Sequence, residues 1–349
     1  MTVGVDVSKD ELVCSYRDGQ PFSHPNSAKE VKRLLSRLAP ATTIAMEATG
    51  RYHRLLADMA YSMGFKVIVL NPKDVSRYAK SVSPRASTDP IMARIIAEFA
   101  SIREHRPYVM PPAFVDTLKN LVRTRAGLVK QKIALKNQAG QHPDIAECLR
   151  SAIAGINLTI NRLNQDIVSV AKPLTEYQLL FKVKGFGELT AAYMTAMLAS
   201  GVFRASDSFV AFIGYDLRVR ESGKLKGKRK LSKRGDTEAR RLLYLAAMAA
   251  SRVPGPFADL YAHYMARGFT TTEAYVFIAR KLARVAWAIY TKKQPYNPDR
   301  VLNQPGSPSQ STEGGIMTIS PCPGTITTLL TGQSYTKGGQ HTSSGEKTT

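Results

Sequence analysis

The stretch that most constrains the fold is Thr2-Val3-Gly4-Val5-Asp6-Val7-Ser8. Strand alternation puts Val3, Val5 and Val7 on one face and Gly4, Asp6 and Ser8 on the other. The valines can anchor the strand in a core. The opposite face then presents a single carboxylate, Asp6, between small residues that leave room around it. A carboxylate so placed is suited to holding a metal ion. The plain alternative is a strand-end aspartate that only turns the chain, and the rest of the sequence has to decide between them.

Glu11 to Tyr16 reads as a second strand, Asp18-Gly19 as a tight hairpin turn and Gln20 to His24 as a third strand. Ser27 to Leu38 has helical spacing, with Asn26 or Ser27 as cap. Thr42 to Glu47 is a fourth strand and Tyr52 to Met63 a helix. A strand from Lys66 to Leu70 ends at Asn71-Pro72, and a further helix runs from about Asp89-Pro90 to Ile102. This order of strands and helices is that of an RNase H/RuvC-like α/β domain, expected over residues 1–105. Ala113 to Gln138 and Leu149 to Ala171 carry apolar residues at spacings of three and four, which predicts an antiparallel helical pair or coiled coil over 106–173. The first of the two has a basic face of Lys119, Arg123, Arg125, Lys130, Lys132 and Lys136, suited either to tracking phosphates or to plain solvation.

From 174 to 298 the chain is again helical and basic. Leu179 to Ala191 has the look of a helix-hairpin-helix, in which the Gly185 and Gly187 turn and Lys184 grip a phosphate; a simple helix–glycine turn–helix is the alternative. Helices are expected at Asp236 to Ser251, Pro256 to Ala266 and Thr272 to Thr291. Residues 299–349 are rich in Ser, Thr, Gly and Pro and are expected to form a disordered tail.

With 49 Lys and Arg against 27 Asp and Glu, the formal charge is +22, which points to a polyanionic partner, most often nucleic acid. No window approaches about eighteen apolar residues, so no transmembrane helix and no membrane partner is expected. Met1-Thr2-Val3 leads directly into a strand, so no signal peptide is expected. Cys14, Cys148 and Cys322 fit neither a disulfide framework nor a zinc site. A cytoplasmic, nucleoid-associated prokaryotic protein is the expectation.

Asp6, Glu47 and Asp89 are the carboxylates to group. Strands one and four are expected as neighbours, so Asp6 and Glu47 project from one face, and Asp89 heads the helix that crosses it. Mg²⁺ held by such a cluster serves phosphoryl transfer. The ordinary reading of Asp89 is an N-cap before Pro90. The second candidate is the cationic run Arg218 to Gly235, read as a loop from its glycines and lack of period. Its Arg220, Lys224, Lys226, Lys228, Arg229, Lys230, Lys233 and Arg234 suit a phosphate backbone. Ser222 lies among them, where a hydroxyl can attack a phosphodiester; an incidental serine in a basic loop is the alternative.

Taken together, Gly4-Val5-Asp6 with Lys9, Glu47-Ala48-Thr49-Gly50, Asn71-Pro72, Thr88-Asp89 with Ala93-Arg94, Val183-Lys184-Gly185-Phe186-Gly187, Glu221-Ser222-Gly223-Lys224, Ser232-Lys233-Arg234-Gly235, Arg240-Arg241-Leu242-Leu243 and Arg280-Lys281-Leu282 resemble the transposases of the insertion-sequence 110 family, which includes the Piv-type DNA invertases. The resemblance covers about Thr2 to Asn297. It implies a RuvC-like domain holding divalent metal through an Asp-Glu-Asp-Asp set, joined by a coiled coil to a transposase domain with a nucleophilic serine. Asp6, Glu47 and Asp89 match the first three carboxylates, and Ser222 matches the nucleophile. It further implies a homo-oligomer, dimer or tetramer, with a composite site on donor and target DNA, a covalent serine–DNA intermediate and, in several members, a structured guide RNA that bridges the two DNAs.

One position departs from that pattern. The family's fourth Asp falls three residues after the third, one helical turn along, and here that position is Met92. A thioether is a poor magnesium ligand. Ser87, where the family usually has Lys, is a smaller departure. Three readings stand open: a site working with three carboxylates and water, a replacement ligand such as Glu98 or Asp10, or a catalytically impaired nucleic-acid-binding copy. A RuvC-like nuclease that uses water in place of Ser222 is a further alternative.

Overall fold

The computed structural model describes residues 1–82, 88–218, 221–222, 225–226 and 230–298, with the backbone alone at 218, 221, 222, 225, 226 and 230. The expectations for Ser87, Arg220, Lys224, Lys228, Arg229 and the tail from 299 lie outside the described residues, as do the side chains of Ser222, Lys226 and Lys230.

The amino-terminal part is a mixed five-stranded sheet. Its strands are β1 (Thr2–Val7), β2 (Glu11–Tyr16), β3 (Phe22–Pro25), β4 (Thr43–Glu47) and β5 (Lys66–Leu70). The order is β3-β2-β1-β4-β5, antiparallel through the first three and parallel from β1 to β5. β1 is thus central. Its valine face is buried: Val3, Val5 and Val7 pack with Leu12, Ile44 and Met46 under α1 (Ala28–Arg37) and α2 (His53–Ser62). Ser27 caps α1 by accepting from the Glu30 N–H, while Asn26 instead donates to the main-chain carbonyls of Ser8 and Tyr52.

The other face of the sheet is covered by α4 (Asp89–Ile102), which crosses β1, β2 and β4. Gly4 makes the crossing possible. A β-carbon there would lie 2.0 Å from the Ala93 carbonyl oxygen and 2.4 Å from the Ala97 nitrogen, both of them backbone atoms of α4. Only a residue without a side chain lets the helix lie directly on the strand. A second cluster, with Ala45, Ile68, Leu70, Ile96 and Phe99, fills this side. Before α4 comes a helix that the sequence reading missed, α3 (Pro72–Val82). Asn71-Pro72 both ends β5 and starts α3, the Asn71 side chain accepting from the Lys73 N–H with Pro72 at the first helical position.

The helical pair is formed by α5 (Ala113–Gln141) and α6 (Ala146–Ala171), joined by a single short turn, both reaching a little beyond their expected bounds. At the end of the pair that meets the helical core, Val115, Leu118 and Val122 of α5 and Ile160, Ile167 and Ala171 of α6 are buried, whereas Leu128, Val129, Ile133 and Leu135, further out, are only half-buried. The rest is helical around one core: α7 (Thr175–Phe181), α8 (Glu188–Leu198), α9 (Ser206–Phe212), α10 (Thr237–Ala250), α11 (Pro256–Ala266) and α12 (Thr271–Lys292). α8 is buried on every side, and α12 starts with a capping box between Thr270 and Glu273. The run expected to be a loop is partly paired: β6 (Leu217–Arg218) with β9 (Lys230–Leu231), and β7 (Glu221–Ser222) with β8 (Leu225–Lys226), both antiparallel. Glycines and charge spacing concealed this, because two-residue ladders are too short to show a period. Among the described residues no helix is long and apolar enough to cross a membrane.

Candidate active site

Register and helix crossing together place the three carboxylates. β1 and β4 pair in parallel with Gly4 opposite Ala45 and Val5 opposite Met46, so the next residues along, Asp6 one residue before the end of β1 and Glu47 at the end of β4, come side by side. α4 lies over this face with its amino terminus at Asp89. Thr88, not Asp89, occupies the N-cap position, without a side-chain cap bond; Asp89 is the first helical residue and Pro90 the second. The ordinary N-cap reading of Asp89 is thereby corrected. Burial, and then the negative charge of Asp89, raise the Asp6 carboxyl above its usual range; burial, and then Asp6, raise Glu47.

This donor set suits a hard divalent cation: three oxygen donors of like charge, each within electrostatic reach of the next. Among the described residues no three His, Cys, Asp or Glu side chains are close enough to hold an ion as they stand. Met92 does not join the carboxylates; it packs against the cluster of Ala45, Ile68, Ile96 and Phe99. Glu98, a suggested replacement ligand, is spent elsewhere: it faces Arg17 at 4.0 Å and accepts from the Tyr78 hydroxyl. It also lies nine residues beyond Asp89, about 13 Å along the helix axis. Asp10 is exposed beyond the end of β1.

In the back half, several residues chosen for phosphate contacts have internal partners. Lys184 donates to the Pro254 carbonyl at 2.9 Å. Gly185 has φ +90° and passes so close to α10 that a β-carbon would lie 2.4 Å from the Ala246 carbonyl oxygen. Gly187, at the start of α8, is exposed and open around its α-carbon. Arg234 approaches Asp74 of α3 at 4.0 Å, linking the basic segment to the sheet side of the molecule. Lys233 is exposed, with φ +52°. Gly214 and Gly235 press together at the base of the β6–β9 excursion, where Ser232 donates to Asp216. The backbone of Ser222 lies in β7, at the excursion's paired tip.

A polar network that the sequence reading did not find connects the two halves along α5. Arg54 of α2 pairs with Asp58 at 3.2 Å and with Asp116 of α5 at 3.0 Å, and Asp58 also accepts from the Tyr108 hydroxyl. Two turns further along α5, Arg123 reaches Asp236 at 2.6 Å and Tyr193 at 3.2 Å. Asp236 caps α10 through the Ala239 N–H. Burial alone would raise its carboxyl, but that N–H and the Arg123 guanidinium outweigh it and hold it low. Between the two nodes sits Lys119, brought down to about 8 by burial and then by the Arg123 charge. Arg125 is bonded to Asn164 of α6. The near half of the expected phosphate-tracking face is therefore engaged inside the molecule. Only the Arg54/Asp58 spacing of four was visible beforehand.

Comparison with known proteins agrees with these features. Residues 3–144 match a family model described as Transposase, of the DEDD type, and residues 177–262 match one described as Transposase IS116/IS110/IS902 family; together they cover more than half of the chain. The chain is similar to the pilin gene-inverting protein of Moraxella lacunata, 25% identical over 73% of this chain and 81% of the relative. It is also similar to the transposase for insertion sequence element IS1111A of Coxiella burnetii, 25% identical over 84% of this chain and 90% of the relative. The transposase for insertion sequence element IS1328 of Yersinia enterocolitica is 24% identical over 83% of this chain and 96% of its own length. The protein is a DNA transposase, an enzyme of insertion-sequence recombination. The chain belongs to the IS116/IS110/IS902 family of transposases, whose DEDD type is as a rule metal-dependent.

Proposed function

We propose that this transposase cuts and rejoins DNA at a composite site, where Asp6, Glu47 and Asp89 of a RuvC-like domain (1–105) and Ser222 of the transposase domain (174–298) act on one phosphate. The observation that carries this reading is the crossing of α4 over Gly4, which puts Asp89 within electrostatic reach of Asp6 and Asp6 within reach of Glu47. Such carboxylates would hold Mg²⁺, which when bound supplies positive charge for the phosphate and the departing oxygen. The Ser222 oxygen forms a bond to phosphorus as the bond to one deoxyribose oxygen breaks; the serine loses its proton and the departing oxygen gains one. A hydroxyl of the second strand later displaces the serine, so the number of phosphodiester bonds is conserved. Arg220, Lys224, Lys226, Lys228, Arg229, Lys230, Lys233 and Arg234 hold the backbone of the nucleic acid. A helix-hairpin-helix at Lys184, Gly185 and Gly187 adds a contact, and the pair α5/α6 (106–173) joins copies into a dimer or tetramer. A structured RNA bridging donor and target DNA fits the +22 charge.

Suicide DNA substrates incubated with the purified protein and Mg²⁺ test this. A protein–DNA adduct that disappears in Ser222→Ala is expected. Cleavage that persists in that variant identifies a nuclease using water. Sequencing of RNA that copurifies with the protein tests the guide.

A second reading rests on Met92 and its place in the apolar cluster: a copy that binds nucleic acid but has lost strand cleavage. Tight binding without cleavage, with cleavage restored by Met92→Asp, would single it out.

A further inference from the structure

The far end of the described chain carries a surface that the proposed reaction leaves unused. Along α12, Phe277, Lys281 and Arg284 recur at spacings of four and three, on a stripe of the helix that reaches solvent in part. At the head of the stripe, Phe277 stacks on Tyr264 of α11 with centroids 4.6 Å apart and planes 26° from parallel. Phe269 meets both rings edge-on, at 5.8 Å and 5.2 Å. All three rings are only half-buried, unlike the core aromatics Tyr193, Phe209 and Phe257. The Arg267 guanidinium lies 5.4 Å from the centre of the Phe269 ring.

The charges nearby are of one sign along the stripe. Glu273 is buried in the capping box at the helix start. Asp207 opposes the cations from α9, 2.9 Å from Arg284 and largely exposed. Burial, and then the Arg284 charge, lower the Lys281 amine, so the two cations crowd each other, and a polyanion would relieve that. Aromatic rings beside a line of cations match an unpaired polynucleotide, whose base faces are open to stacking while its phosphates are evenly spaced. A duplex hides those faces.

We propose that Tyr264, Phe269 and Phe277 form a stacking platform for unpaired nucleobases, with Arg267, Lys281 and Arg284 holding phosphates of the same strand. The site is built from residues other than the carboxylates and the basic excursion, and it stands or falls independently of Ser222 chemistry.

The test measures binding of the full chain to a fluorescent oligo(dT) and to a mixed-sequence duplex by anisotropy, across a salt series. Phe269→Leu keeps apolar volume but loses stacking, and should weaken oligo(dT) binding about tenfold while leaving the duplex unchanged. Lys281→Gln should reduce the slope of log affinity against log salt by about 0.7 for oligo(dT). Should Phe269→Leu fail to fold, the Lys281→Gln slope decides alone. Unchanged oligo(dT) affinity and slope, or equal losses on strand and duplex, would overturn the proposal.

Discussion

The sheet side and the helical side of the molecule fix their chemically interesting residues by different means. In the sheet, position follows from the backbone: a period of two, a parallel register and a glycine under a helix decide that Asp6, Glu47 and Asp89 approach one another. On the helical side, position follows from which neighbour a long cation finds. Lys184, Arg123 and Arg125 all find partners within the chain. A carboxylate near a strand end is thus readable by the neighbours it will have, whereas a cation on a helix is readable only as a cation. Strand geometry leaves few alternatives, while a lysine or arginine side chain sweeps a volume wide enough to reach either a phosphate or a carbonyl.

That contrast can be broken or sharpened by substitution. The largest effect is expected at Gly4→Val, whose β-carbon meets backbone that cannot move aside; a loss of about 4 kcal/mol, seen as a lowered denaturant midpoint, is the predicted result. If stability hardly changes, α4 does not rest on β1. Gly185→Ala comes next, at about 3 kcal/mol, from a left-handed φ combined with a close approach to α10. Wild-type stability with weakened DNA binding would instead restore a purely phosphate-binding role to that turn.

Asp236→Ala removes a helix cap and strands Arg123 and Tyr193, with an expected cost of about 2 kcal/mol. The double substitution with Arg123→Ala should cost less than the sum of the single ones, which thermal or chemical unfolding of the four chains would reveal. Lys119→Met is expected to stabilise by about 1 kcal/mol at pH 7. The folded-state value of about 8 lies below that of an unfolded lysine, so the unfolded chain binds the extra proton above pH 8. Lys119 therefore makes stability rise from pH 8 towards the ordinary lysine range, and the Met variant should lack that rise. A variant with an unaltered pH profile would place Lys119 in solvent.

Most of the sheet was legible in the sequence, because Val3, Val5, Val7, Ile44 and Met46 repeat in step with the burial they obey. α9 was not, having only two turns, and neither was α3, which buries only Val75, too little for a helical stripe. The pairing of β6 with β9 was equally hidden, since two residues cannot display alternation. Of the candidate site, the approach of the carboxylates follows from strand order and register. The network of Arg54, Asp116, Arg123 and Asp236 depends on contacts between residues far apart in the chain, and no local pattern announces those.

The central claim is that the front carboxylates govern what the back-half serine does. The most direct measurement is the yield of serine–DNA adduct on a suicide substrate with Mg²⁺ for Asp6→Asn, Glu47→Gln and Asp89→Asn, each with Ser222 in place and with DNA binding checked in parallel. Loss of adduct by at least about a hundredfold in each, with DNA still bound, is the predicted result. Adduct at the unsubstituted level in all three would contradict it.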